Sequence, residues 1–131
     1  MKHSISYWSS ALFVAFAVPA GAEAVDRVHA GEWETTVESG GQSFSRKSCV
    51  TPAQAAVMNG DDRTLGASLE KAMAGTGCTL TSVKASGNQV TVSSQCAMSA
   101  NTGTTTYHGD SYDSESTNGA KVHAKRAGAC P

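Results

Sequence analysis

The chain has 131 residues, a formal net charge of −1 and four cysteines, with 40% of its residues hydrophobic and 16% charged. That length allows one domain with one core. The near-neutral charge removes the electrostatic footprint of a nucleic-acid binder, and the absence of any strongly apolar run of about 18 residues or more excludes a multi-span membrane protein.

In chain order, Lys2 and His3 form a short basic start, and an apolar stretch from Ala11 to Ala20 follows. Two overlapping small-x-small sites come next, Ala20-Gly21-Ala22 and Ala22-Glu23-Ala24. This is the order of a secretory signal peptide, residues 1–22, cleaved after Ala22 or after Ala24. It predicts a periplasmic or secreted chain with no transmembrane span in its mature form. The mature domain is then 23–131, with nine Lys+Arg against eleven Asp+Glu and only 13 residues of Leu, Ile, Val and Phe. That aliphatic share is below the ~20% that ordinarily supports a large core. Cys49, Cys78, Cys96 and Cys130 all lie in this part, and an even count in an exported chain this small reads as two disulfides. No C-x-x-C pair is present, so neither a zinc site nor a dithiol redox motif is indicated.

Glu32 to Glu38 alternates polar and apolar residues, the pattern of a half-buried strand. Ser39-Gly40-Gly41 turns it into a partner strand from Gln42 to Val50. Thr51-Pro52-Ala53-Gln54 is a capping box with Pro in the first helical position, and it predicts a short helix through Met58 stopped by Asn59-Gly60. Asp61 or Asp62 caps a second helix with Leu65, Leu69, Ala72 and Met73 on one stripe. The helical insertion thus covers 51–75. From Cys78 onward the pattern is β: 79–84 and 89–94 around Ser86-Gly87-Asn88, then 104–108 and 111–117 around Gly109-Asp110, then 120–126 after Asn118-Gly119. A two-residue turn at Gly109-Asp110 sets Tyr107 opposite Tyr112. The predicted fold is mainly β: a single-domain antiparallel curved meander of about seven strands with a short helical insertion and two disulfides. Two pairings remain open at this point, Cys78–Cys96 with Cys49–Cys130, or Cys49–Cys78 with Cys96–Cys130.

The ordered set Gly31-Glu-Trp33-Glu34, Ser48-Cys49-Val-Thr51-Pro52, Cys78, Ser86-Gly87-Asn88, Cys96, Tyr107-His-Gly109-Asp110-Ser111-Tyr112 and Lys125-Arg126-Ala-Gly128-Ala-Cys130 resembles a family of small exported proteobacterial proteins classed as a domain of unknown function. The resemblance implies a periplasmic location and a four-cysteine, mostly β domain. It implies no activity.

Candidate chemistry is sparse. The histidines of the mature part are His29, His108 and His123, the residues a metal site would use. Two-residue turns at Gly109-Asp110 and Asn118-Gly119 point His108 and His123 to opposite faces, and a one-residue register slip brings them together. Asp61, Asp62 and Asp110 read as caps and turn residues, without calcium-loop spacing. Glu32, Glu34 and Glu38 share the outward face of one strand, and no paired carboxylates or nucleophile motif point to an enzyme. The expectation is a non-enzymatic envelope module with a structural or binding role and no cofactor. Its partner would be a small apolar ligand or an envelope protein, held near Trp33, Phe44, Val90 and Val92. The alternative is a histidine-based metal-binding protein.

Overall fold

The computed structural model describes residues 25–131, so the expected export signal and both cleavage positions lie outside the described residues. Seven strands form one sheet: β1 (Gly31–Ser39), β2 (Gln42–Val50), β3 (Thr79–Ser86), β4 (Gln89–Gln95), β5 (Ala100–Tyr107), β6 (Ser111–Ser116) and β7 (Lys121–Gly128). Two helices, α1 (Pro52–Met58) and α2 (Asp62–Met73), lie between β2 and β3. The strand order is β2-β1-β7-β6-β5-β4-β3, every neighbouring pair antiparallel. The protein is therefore mainly β, an open curved sheet in which the five-strand meander β3–β7 is extended by the β1–β2 hairpin. Bulges between Glu32 and Trp33 and between Leu80 and Ser82 add local bend.

This order explains the helical insertion. β2 and β3 are consecutive strands at opposite edges of the sheet. Six inter-strand steps of about 4.8 Å separate them, roughly 29 Å. A seven-residue and a twelve-residue helix together span about 28 Å at 1.5 Å per residue, enough to carry the chain back across one face.

Local chemistry sets the boundaries. Gly40 and Gly41 turn the first hairpin with φ of 60° and 77°, the paired left-handed conformation that a two-residue turn matched to strand twist requires. The capping box forms as predicted: the Gln54 N–H donates to Thr51 Oγ1 (3.2 Å), and the Thr51 N–H donates to Gln54 Oε1 (3.0 Å). Asp61 caps α2 by accepting from the Thr64 N–H at 2.9 Å. That bond, with the Thr64 side chain beside it, holds the Asp61 carboxyl below its ordinary range.

The core lies where α1 and the segment before β1 meet the inner face. Val28, Trp33, Ala55 and Ala124 are buried together, with Val50, Met58, Tyr107 and Tyr112 packed against them. Trp33, Tyr112 and Tyr107 form a row with ring centroids 5.6 and 5.4 Å apart. Tyr107 pairs with Tyr112 across β5 and β6 as expected. Burial, and then the neighbouring Tyr112, push the Tyr107 phenol above its ordinary value.

Residues 25–30 act as a strap over this core. Asn59 Oδ1 accepts the Arg27 and Val28 N–H groups (2.8 and 2.9 Å), and its Nδ2 donates to the Val28 carbonyl (2.9 Å). The buried Arg27 guanidinium donates to the carbonyls of Gly87, Met58 and Gly60, joining the strap to the end of α1 and to the β3–β4 turn.

The disulfides are Cys49–Cys130 and Cys78–Cys96, the first of the two pairings considered. Cys49 pairs in register with Glu32, and Glu32 with Gly128. The tail after β7 thus has one strand to cross to reach Cys49. Cys78 and Cys96 flank the opposite end of the sheet, so a Cys96–Cys130 bond is out of reach.

Candidate functional site

The two faces of the sheet differ in kind. The outer face carries Glu34, Glu38, Lys47, Lys121, His123, Lys125, Asp113 and Glu115, all exposed. Here the hairpin after β6 departs from the expected two-residue turn. Thr117, Asn118 and Gly119 form a three-residue loop closed by the Ser116 N–H donating to the Ala120 carbonyl (3.0 Å), with Gly119 at φ 88°. A turn followed by a left-handed residue is the usual three-residue solution. It shifts the register by one, so Asp113 rather than Ser114 stands opposite His123.

That shift brings two of the three candidate histidines to one carboxylate. His123 Nδ1 donates to Asp113 Oδ1 at 2.7 Å, and His108 Nε2 lies 3.7 Å from Asp113 Oδ2. His29 is elsewhere, on the strap, with Nδ1 2.9 Å from Asp110 Oδ1 and Nε2 2.8 Å from Asp26 Oδ2. Those two carboxylates, Asp110 first, raise the His29 pKa above its ordinary 6.5. Among the described residues, no three His, Cys, Asp or Glu side chains are arranged to hold a metal ion. Shallow clefts flank His123. One, of about 460 Å³, is lined by Glu34, Thr36, His123, Lys125, Arg126 and Ala127.

The inner face divides into a covered and an open half. Of the four residues expected to hold a ligand there, Trp33 and Val90 are core side chains, 2% and 5% exposed. The Trp33 indole N–H is occupied by the His29 carbonyl at 3.0 Å. Strap and helices fill that half, so neither residue is open to a ligand. Phe44 is 59% exposed, and Val92 is half-buried. Phe44 faces Val37, and Val37 faces Val122 on the next strand. The three make a short apolar rung across β2, β1 and β7, outside the core cluster. Composition and alternation identify such a face but not how far a helix covers it, because coverage depends on where the insertion crosses.

The two sheet edges are also unequal. β3 is covered: α2 packs along it, Asp62 Oδ1 accepts the Ala85 N–H at 2.6 Å, and the strand is bulged and held at Cys78. β2 runs nine residues without a bulge or proline, exposed throughout except at Val50. Among the described residues, no backbone hydrogen bond other than the β1 ladder reaches Gln42–Cys49. The open rung of the inner face ends on this open edge.

No helix among the described residues is long and apolar enough to cross a membrane. No curated protein and no solved structure matches the chain. The model of one family, described as a protein of unknown function (DUF3617), matches residues 28–130. That match takes in the core residue Val28, all seven strands and both disulfides, and the chain belongs to the DUF3617 family.

Proposed function

We propose that this protein is an exported, non-enzymatic binding module that holds a segment of a partner protein on the open half of its inner sheet face. The observation that carries this reading is Phe44, a large side chain 59% exposed on a β-rung with Val37 and Val122. Contiguous apolar surface of this kind is where interaction sites form, and here Phe44 continues into the half-buried Val37 and Val122. A protein partner is favoured over a small apolar molecule because the rung runs into an edge strand with free backbone groups, which a peptide segment satisfies and an apolar molecule does not. Two disulfides suit an oxidising compartment and agree with the export signal expected at residues 1–22. The groups with displaced pKa values also fit a structural reading: His29 sits in a clamp, Asp61 in a helix cap and Tyr107 in the core.

The test places a photo-crosslinking phenylalanine analogue at position 44, and at Glu115 on the outer face as control, in the chain produced in its own cell. The expected result is a chain recovered from the envelope with its N-terminus at Glu23 or Val25. A discrete crosslinked protein should form from position 44 and be absent from position 115. A cytosolic chain that keeps Met1, equal crosslinking from both positions, or crosslinking from 44 to small molecules alone overturns the reading.

A further inference from the structure

The open edge of β2 carries a chemical pattern that specifies its occupant, an inference that rests on the binding role proposed above. β2 has two cations, Arg46 and Lys47, and no carboxylate between Gln42 and Val50. Successive residues alternate between faces, so Phe44 and Arg46 lie on the inner side of the edge and Lys47 on the outer side. Glu34 stands opposite Lys47 in register, and Thr35 opposite Arg46. Among the described residues, neither cation lies within ion-pair distance of a carboxylate.

We propose that β2 accepts an acidic, extended segment of a partner protein as an eighth, antiparallel strand. Its side chains would read, in the partner's direction, acid, acid, any residue, apolar. The first acid faces Lys47 on the outer side and the second faces Arg46 on the inner side. The apolar residue comes two positions later, opposite Phe44. β1, already paired to the other side of β2, shows part of the same complement: Glu34 opposite Lys47 and Val37 opposite Phe44. A second copy of this chain is disfavoured as the occupant. Pairing β2 with itself sets four cations on adjacent strands with no carboxylate on either, and like charges in facing positions destabilise a sheet. The same two cations thus discourage self-pairing at an exposed edge and select an acidic partner.

The test uses the oxidised chain and blocked synthetic peptides: threonine-glutamate-glutamate-threonine-valine-threonine, the same peptide with threonine for both glutamates, and one with lysine for both. The glutamate peptide is expected to bind about fivefold tighter than the threonine peptide, the size of two modest cross-strand charge pairs. The lysine peptide should bind weakest, and the preference should shrink near 1 M salt, where the screening length is about 3 Å. Arg46→Glu with Lys47→Glu should invert the order, and Arg46→Gln with Lys47→Gln should flatten it. N-methylation of one alternate set of peptide amides should abolish binding while the other set is tolerated, because only one set faces the edge. Equal affinity for all three peptides, or equal effects of the two methylation sets, overturns the edge proposal. The binding role itself is read separately through Phe44. If the peptides show no preference while the crosslink at position 44 persists, the edge assignment falls and the open-face reading stands. If the peptides behave as expected and no crosslink forms at 44, the open-face reading falls and the edge assignment stands.

Discussion

Asn59 does more than its position implies. In sequence it belongs to Asn59-Gly60, a helix stop, and the α1 boundary agrees. Its side chain also satisfies three backbone groups of the strap, in Arg27 and Val28, from 31 or 32 residues away. Nothing periodic marks residues 25–30, so this long-range partnership was not legible. Asn59→Ala leaves those groups without partners in a part-buried site, and each such loss costs about 1–3 kcal/mol. The expected total is about 3 kcal/mol, read as a lower urea midpoint with an unchanged slope. His29 adds a pH term to the same strap. Its folded pKa is raised by Asp110 and then Asp26, so the native state holds the proton more tightly than the unfolded chain. The stabilisation is fully present below the ordinary 6.5 and is lost as pH rises through the raised folded value. His29→Gln should therefore lower the thermal midpoint more at about pH 5.5 than near pH 9. An equal effect at both pH values would show that the two carboxylates do not act through the charge.

At the scale of elements, the readings that succeeded rest on local physics. The capping box of Thr51, Pro52 and Gln54 is spelled out in four residues and forms with both reciprocal bonds. Thr51→Ala removes one of them and should cost about 1 kcal/mol, measurable by chemical denaturation, while Thr51→Ser should retain most of it. Strand alternation and the Gly40-Gly41 and Gly109-Asp110 turns were legible for the same reason. The turn at Asn118-Gly119 was not, because Asn-Gly serves a two-residue turn and a bulged three-residue loop alike. That single-residue difference moved Asp113, which His108 already approaches across the β5–β6 turn, to the position opposite His123. The candidate ligand face was half legible. Alternation put Trp33, Phe44, Val90 and Val92 on one face, but only the path of α1 and α2 decides which of them are covered.

At the scale of the molecule, the thin core makes the covalent links a condition of stability. Six apolar side chains are buried among the described residues, and typical domains are stable by only about 5–15 kcal/mol. The two disulfides close loops of very different size, with sequence separations of 81 for Cys49–Cys130 and 18 for Cys78–Cys96. Loop-closure entropy assigns about 4.5 kcal/mol to the longer and about 3 kcal/mol to the shorter. Topology points the same way. Cys78–Cys96 joins two strands already paired by seven register positions, whereas Cys49–Cys130 joins an edge strand to the chain terminus across β1. Replacing Cys49 and Cys130 with Ala should therefore cost more than replacing Cys78 and Cys96, by about 1–2 kcal/mol. Paired urea melts following the near-ultraviolet signal of Trp33 test this. A larger loss from the Cys78–Cys96 pair would mean that the β3 edge, rather than the closure of β2 onto the C-terminal tail, limits the fold. With both bonds reduced, the combined loss of about 7.5 kcal/mol reaches into the ordinary stability range. The chain is then expected to fold in an oxidising compartment and to become protease-sensitive when retained in a reducing one.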